Sequence, residues 1–209
     1  MSSFPIDFST TTTAVNSDYL DDESKSALKL LSVKGYEVHR ELTGDFAKEI
    51  IKMALEPSIK EYCPNDSGKR FASLDSTAAW LTKHRAAYLL IKRDDMAGLT
   101  LAGYGWAGSS TSSHVPEGET TFSLRLGESG QGQGLATSFA RIILFDSAKT
   151  YDAKKYWLET WESNAGAVHI YKKLGFKEVD RQKDMRPTNS GQEIADMRLY
   201  MYLPDEILG

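Results

Sequence analysis

The chain is expected to fold as an α+β domain in α/β/α layers around a mixed, mostly antiparallel sheet. Three features carry that expectation. Residues 87–126 hold three strand candidates in succession, AYLLIKRD, LTLAGYGWAG and ETTFSLRL, joined by DDMAG and SSTSSHVPEG, which reads as an antiparallel meander. The glycine-rich stretch GESGQGQGLAT follows the third strand directly. Beyond it, LATSFARIILFDSAKTY has helical spacing through Leu135, Phe139, Ile142 and Ile143, and KKYWLETW returns as a strand.

The 209 residues, 41% of them apolar, suffice for one substantial core and set the expectation of a single domain over 36–209. Residues 1–35 are set apart as an N-terminal extension that need not be fully ordered. It opens on the Ser/Thr-rich MSSFPIDFSTTTT and passes through LDDESKSALKLLS, one short amphipathic helix ending before Gly35. YEVHREL then alternates like a strand, and GDFAKEIIKMAL places Phe46, Ile50, Ile51 and Leu55 on one helical face. A further helix, DSTAAWLTKHR, has a candidate cap at Asp75 or Ser76. After the glycine stretch and its helix and strand, SNAGAVHIYKKLGF puts Ala167, Ile170, Tyr171 and Leu174 on one face, with Asn164 or Ser163 to cap it and Gly175 to end it. FKEVDRQK and MRLYMYLP complete the chain as strands.

Composition narrows the function. A formal net charge of −4 argues against a nucleic-acid or basic membrane-binding face, so any anionic ligand must be held locally. The single cysteine, Cys63, excludes a disulfide framework, and the N-terminus lacks the basic and apolar regions of a secretory signal, so a cytoplasmic protein is expected. Cys63 reads as structural, since no histidine partner is indicated. His39, His84, His114 and His169 show no ligand spacing, and no metal site is expected.

The glycines at 130, 132 and 134 pose the functional question. Amides at the start of a helix have no intrahelical partner and lie at the positive end of its dipole, so a loop cleared of side chains there suits phosphate oxygens. A plain turn that needs glycine for its backbone angles is the competing account. The Gly-Lys-Ser/Thr ending of a Walker A loop is absent, and Thr137 stands where a dinucleotide fingerprint needs its third glycine.

Gln131-Gly132-Gln133-Gly134-Leu135-Ala136 resembles the Gln/Arg-x-x-Gly-x-Gly/Ala pyrophosphate signature of the GNAT superfamily of acyl-CoA-dependent N-acetyltransferases. Downstream, Asn164-x-x-Ala167-x-x-x-Tyr171-x-x-x-Gly175-Phe176 is similar to that family's second CoA-side motif. The resemblance is clear over about Glu119–Val179 and implies a sheet whose strands splay apart to admit CoA. It implies a pyrophosphate cradle of Gln131, Gly132, Gln133, Gly134, Leu135, Ala136 and Thr137. Pantetheine is expected along the backbone of Leu124, Arg125 and Leu126, near Asn164 and Ala167. Tyr171 falls where related enzymes protonate the departing thiolate, and Glu119 where the family often places a base, with Glu117 and Glu159 as runners-up. For each carboxylate, a solvated surface role stays open. Tyr104, Trp106, Phe122, Trp157 and Trp161 can shape an acceptor pocket or belong to the core.

By this resemblance, the chain should use acetyl-CoA to acetylate a primary amine by direct attack, as a monomer or homodimer. The acceptor is expected to be a small molecule such as an amino acid or polyamine. A protein N-terminus or lysine is the alternative, and a catalytically inactive CoA-binding regulatory module is the rival from another class. A Rossmann-type oxidoreductase is disfavoured by the meander.

Overall fold

The computed structural model describes residues 13–40, 44–81, 85–94 and 98–204. Its strands are β1 (Thr13–Ala14), β2 (Tyr36–Arg40), β3 (Arg85–Asp94), β4 (Gly98–Ser109), β5 (Thr120–Leu126), β6 (Tyr156–Trp161), β7 (Lys177–Pro187) and β8 (Glu193–Tyr202). They form one sheet in the order β1-β2-β3-β4-β5-β6-β8-β7, with every described neighbouring pair antiparallel except β5 and β6. The meander expected from residues 87–126 is β3-β4-β5, and the parallel step follows because a helix must carry the chain back across the sheet.

Two layers of helix cover the two faces. The first holds α1 (Asp22–Val33), α5 (Ala136–Thr150) and α6 (Ala165–Lys173). Alternation along β3 sends Ala86, Tyr88 and Leu90 into the core on that side, with Phe139, Ile142 and Ile143 of α5. The opposite face is covered by α2 (Gly44–Ala54), α3 (Pro57–Tyr62) and α4 (Leu74–Leu81), and Leu89 and Ile91 pack there with Trp80, Tyr104 and Trp106.

Several local expectations change. The buried face of α2 is Ala47, Ile50, Met53 and Ala54, whereas Leu55 is exposed because the helix ends at Ala54 and Pro57 begins the next one. The cap of α4 is Ser73 rather than Asp75 or Ser76: its Oγ accepts from the Ser76 amide at 3.1 Å, and the Ser76 Oγ accepts from the Ser73 amide at 2.9 Å. At α6, Asn164 is the cap, accepting from the Ala167 amide at 3.3 Å, and Gly175 ends the helix with φ +95°.

Residues 13–35 pack as part of this body, although the sequence motifs lie outside them. β1 pairs with β2, and Leu31 of α1 is fully buried in the cluster that contains α5. Asp146 of α5, itself fully buried, accepts from the Tyr88 hydroxyl at 2.7 Å, from Arg40 Nε at 2.8 Å and from the Tyr19 hydroxyl. Three segments distant in sequence are thereby tied to one carboxylate. Residues 1–12 lie outside the described residues.

Removing three buried side-chain carbons at Leu31 tests whether α1 belongs to the cooperative unit. Leu31→Ala should cost about 2–5 kcal/mol in a urea denaturation series while keeping a single transition. A loss below about 0.5 kcal/mol would show that α1 folds independently of the rest.

Candidate active site

β5 and β6 pair only at Thr120 with Tyr156 and Thr121 with Trp157 among the described residues, and then part. From Phe122 onward β5 keeps β4 on one side and has no strand on the other. The opening is the mouth of a cleft of about 1030 Å³ between the diverging strands, lined at one end by the glycine loop and at the other by Trp106, Arg70 and Arg85. Backbone carbonyls on the bare edge find side-chain donors: Leu124 accepts from Arg125 Nη1 at 2.9 Å and Leu126 from Gln131 Nε2 at 2.9 Å. Each carbonyl retains a second lone pair for a ligand.

The three loop glycines do different jobs. Gly130 is a packing residue, since a Cβ there would sit 2.8 Å from the Ala102 carbonyl oxygen of β4. Gly132 and Gly134 have φ of +71° and +69°, a region that L side chains avoid, and open space lies around Gly132. The turn they make brings the chain to α5 at Leu135, with no side-chain cap and no acidic residue in the first turn. Ala136, Thr137 and Ser138 line the cleft, so the unpaired amides and positive dipole end of α5 fit a phosphate group. Gln133 turns away from the cleft: its carbonyl accepts from Lys34 Nζ at 2.6 Å and its Oε1 from the Tyr36 hydroxyl at 2.9 Å. The segment before the matched motifs thus holds the loop in shape.

Asn164, Ala167 and Tyr171 meet Leu124, Arg125, Leu126, Gln131, Gly132, Gly134, Leu135, Ala136 and Thr137 in this cleft. The Tyr171 ring packs edge-on to Phe122 and Phe176 at centroid distances of 6.2 and 5.9 Å. Its hydroxyl makes no hydrogen bond within the described residues, and burial pushes its pKa up to about 12. Glu119 is not brought to this group. It lies in a separate recess beyond the far end of β5, where Lys155 Nζ donates to it at 2.6 Å and holds its carboxyl below the usual range. Glu159 is the acidic side chain that faces the cleft, and Arg198 Nη1 donates to it at 3.0 Å. Glu117 does not line the cleft.

Beside Tyr171 is a buried ionic group that the linear pattern does not announce. Asp66, fully buried, accepts from Arg70 Nη1 and Arg125 Nε, each at 2.8 Å, and from the Tyr104 hydroxyl at 2.9 Å. Burial alone would depress the Arg125 guanidinium, but Asp66 overrides it and holds Arg125 above the ordinary arginine range. Both guanidinium groups also stack on Trp106, at 5.4 and 5.1 Å from its ring centre. The i, i+4 spacing of Asp66 and Arg70 is visible in the sequence, whereas the 59-residue separation of Asp66 and Arg125 is not. A π-type turn at 66–70, closed by the Phe71 amide on the Asp66 carbonyl at 2.7 Å, aims Asp66 inward.

A family model for the acetyltransferase (GNAT) domain matches residues 39–177. Among curated proteins, the [ribosomal protein bS18]-alanine N-acetyltransferase of Escherichia coli strain K12 is 32% identical over 85 residues, 41% of this chain and 55% of that protein. The chain thus spans about half the length of the curated relatives it matches. Among solved structures, spermidine N-acetyltransferase from Vibrio cholerae, in complex with CoA and spermine, superposes with a TM-score of 0.65 at 17% identity, covering 84% of this chain and 98% of that one. An N-acetyltransferase from Staphylococcus aureus Mu50 gives a TM-score of 0.61 at 14% identity, over 81% and 98% of the two chains. These structural likenesses establish the fold.

The Asp66 group predicts a sharp stability effect. Asp66→Asn keeps the volume but leaves two guanidinium groups, one of them largely buried, without their counter-ion, and should cost about 3–5 kcal/mol in equilibrium unfolding. Glu49→Gln, which breaks an exposed pair with Lys52, should cost less than about 0.5 kcal/mol in the same experiment.

Proposed function

This chain belongs to the GNAT acetyltransferase family, and we propose that it transfers an acetyl group from acetyl-CoA to the primary amine of a small-molecule acceptor by direct attack. One convergence supports this reading: an uncapped helix start, a bare strand edge and a tyrosine hydroxyl with no hydrogen-bond partner among the described residues all face the same cleft. Acetyl-CoA supplies an activated acetyl thioester when bound. In this reading, the amides of Ala136 and Thr137 hold the pyrophosphate behind Gly132 and Gly134, with Gln131 and Leu135 completing the cradle and Gln133 keeping its shape. The backbone of Leu124, Arg125 and Leu126 takes the pantetheine, flanked by Asn164 and Ala167.

Tyr171 then holds its proton at the cleft wall. Transferring it fully to a thiolate with a thiol pKa near 8.5 is uphill by roughly 5 kcal/mol from a hydroxyl at about 12, so Tyr171 works as a hydrogen-bond donor to developing negative charge. The amine must also lose a proton, since an alkyl ammonium with a pKa near 10.4 costs about 4.6 kcal/mol to deprotonate at pH 7. We assign that proton to Glu159, directly or through water, because Glu159 faces the cleft and Glu119 does not. A protein N-terminus is the second acceptor class, and the activity named for the ribosomal-protein relative favours it.

Release of CoA from acetyl-CoA on addition of a panel of primary amines tests the reaction. Against the amine found there, Tyr171→Phe should lower kcat about 10²-fold with little change in acetyl-CoA affinity, because the ring packing survives and only the donor is lost. The variant's pH profile should keep the wild-type shape across the neutral and mildly alkaline range, where the hydroxyl does not titrate. Unchanged kcat with chemistry rate-limiting would make Tyr171 a packing residue.

The base is tested by a pair of variants. Glu159→Gln should reduce kcat/KM about 10²-fold at neutral pH and recover as rising pH supplies free amine, while Glu119→Gln stays near wild type. The reverse ranking would return the role to Glu119.

A further inference from the structure

The cleft is cationic in an acidic protein. Among the described residues, Arg70, Arg85, Arg125, Arg198 and Lys173 line it against one carboxylate, Glu159. Three of the four arginines have acidic partners among the described residues: Arg70 and Arg125 share the single carboxylate of Asp66 and so keep one net positive charge between them, and Arg198 is held by Glu159 and Asp184. Arg85 has no acidic partner and no hydrogen bond among the described residues, and its Nε is buried without an acceptor. The nearest recess on its other side contains Glu119, whose carboxylate is taken by Lys155.

The fold holds this unpaired guanidinium at a defined place. Arg85 begins β3 opposite Gly108 of β4, which in turn lies opposite Thr121 of β5. Its side chain crosses the space where a Gly108 Cβ would stand, with Cγ and Nη1 at 3.0 and 3.3 Å from that position, and its guanidinium lies 4.8 Å from the Trp80 ring centre. Trp80 packs edge-on to Trp106 at 4.8 Å, and Arg70 and Arg125 stack on Trp106, so three guanidinium groups flank one aromatic pair. Burial, and then the neighbouring Arg70, hold the Arg85 guanidinium below the ordinary arginine range. An anion seated beside it would relieve both penalties.

The position identifies which ligand that anion belongs to. Arg85 shares a cross-strand row with Thr121, whereas the glycine loop follows Leu126, five residues on, or roughly 17 Å at strand rise. The phosphate cradle and Arg85 therefore occupy opposite ends of β5, with Tyr171 lining the same cleft. We propose that Arg85, with Arg70 beside it, forms an acceptor subsite for a carboxylate, so that the preferred acceptor is an amine that also carries a carboxyl group, not a polyamine. A planar carboxylate matches the fork of a guanidinium, whereas a polycationic acceptor would meet like charge there. The proposal rests on the acetyl-transfer reading only for the identity of the reaction; the subsite itself stands on Arg85.

Two measurements separate the two claims. In the first, CoA release is followed with amines matched apart from the carboxylate, glycine against methylamine and phenylalanine against phenethylamine, with spermidine alongside. The carboxylate-bearing member of each pair should be favoured at least tenfold in kcat/KM. Arg85→Gln should remove about tenfold to a hundredfold of that preference, mainly through KM, and leave the decarboxylated amines unchanged. Preference for spermidine, or an equal loss on both members of a pair, overturns the subsite. In the second, N-acetylglycine and N-acetylphenylalanine are titrated calorimetrically into the CoA-loaded protein without turnover, with N-methylacetamide as the probe lacking a carboxylate. Carboxylate-dependent binding that Arg85→Gln weakens at least tenfold supports the subsite even if no amine is acetylated, in which case the acetyl-transfer reading alone fails. Binding that ignores the carboxylate, or is indifferent to Arg85→Gln, overturns it.

Discussion

The parting of β5 and β6 after two residue pairs is the constraint on which the rest of the molecule turns. A sheet that loses pairing in its middle exposes backbone groups that cannot remain unsatisfied in a partly buried setting. The chain answers with side chains, Arg125 onto Leu124 and Gln131 onto Leu126, and with a cleft open enough for a ligand to supply the remainder. The crossover helix α5 that makes β5 and β6 parallel also delivers its own N-terminus to the opening. Phosphate site and strand edge are two consequences of one topological step.

Electrostatics in this protein is local. A chain with net charge −4 gathers four arginines and a lysine around one cleft, and two of them, Arg70 and Arg125, are stabilised there by a single enclosed carboxylate, Asp66. That group also stiffens the acceptor end: Trp106 lies under two guanidinium groups, and Tyr104 donates to the same carboxylate. A rigid, desolvated cationic wall favours planar anionic groups and strengthens every charge contact within it. On the opposite face, Asp146 plays the corresponding structural part, gathering Tyr19, Arg40 and Tyr88 onto α5.

Much of the fold was legible in the linear pattern because its elements are strongly periodic. The four positions expected on one helical face, Leu135 at the start of α5 and Phe139, Ile142 and Ile143 within it, are all fully buried, and the meander pairs as its turns suggested. Leu55 was misplaced because apolar spacing does not register where a helix stops, and Pro57 stops it. Gly130 looked equivalent to Gly132 and Gly134, yet its neighbour is a carbonyl of β4, known only once β4 and the loop are in contact. Glu119 was preferred as the base and Glu159 ranked behind it by resemblance alone; that Glu159 of β6 faces the cleft while Glu119, just before β5, lies in a separate recess depends on where the two strands part.

Local chemistry in the chain was sufficient to specify the glycine turn, a cap at Asn164 or Ser163, the helix carrying Tyr171 and the family these motifs announce. Each depends on residues within about ten positions of one another, a range over which backbone preference and periodicity act directly. The bare edge of β5, the enclosure of Asp66 between Arg70 and Arg125, and the lone guanidinium of Arg85 arise from long-range packing. Whether a charge is paired is a property of the space around it, and that space is built here partly across long separations, 59 residues between Asp66 and Arg125.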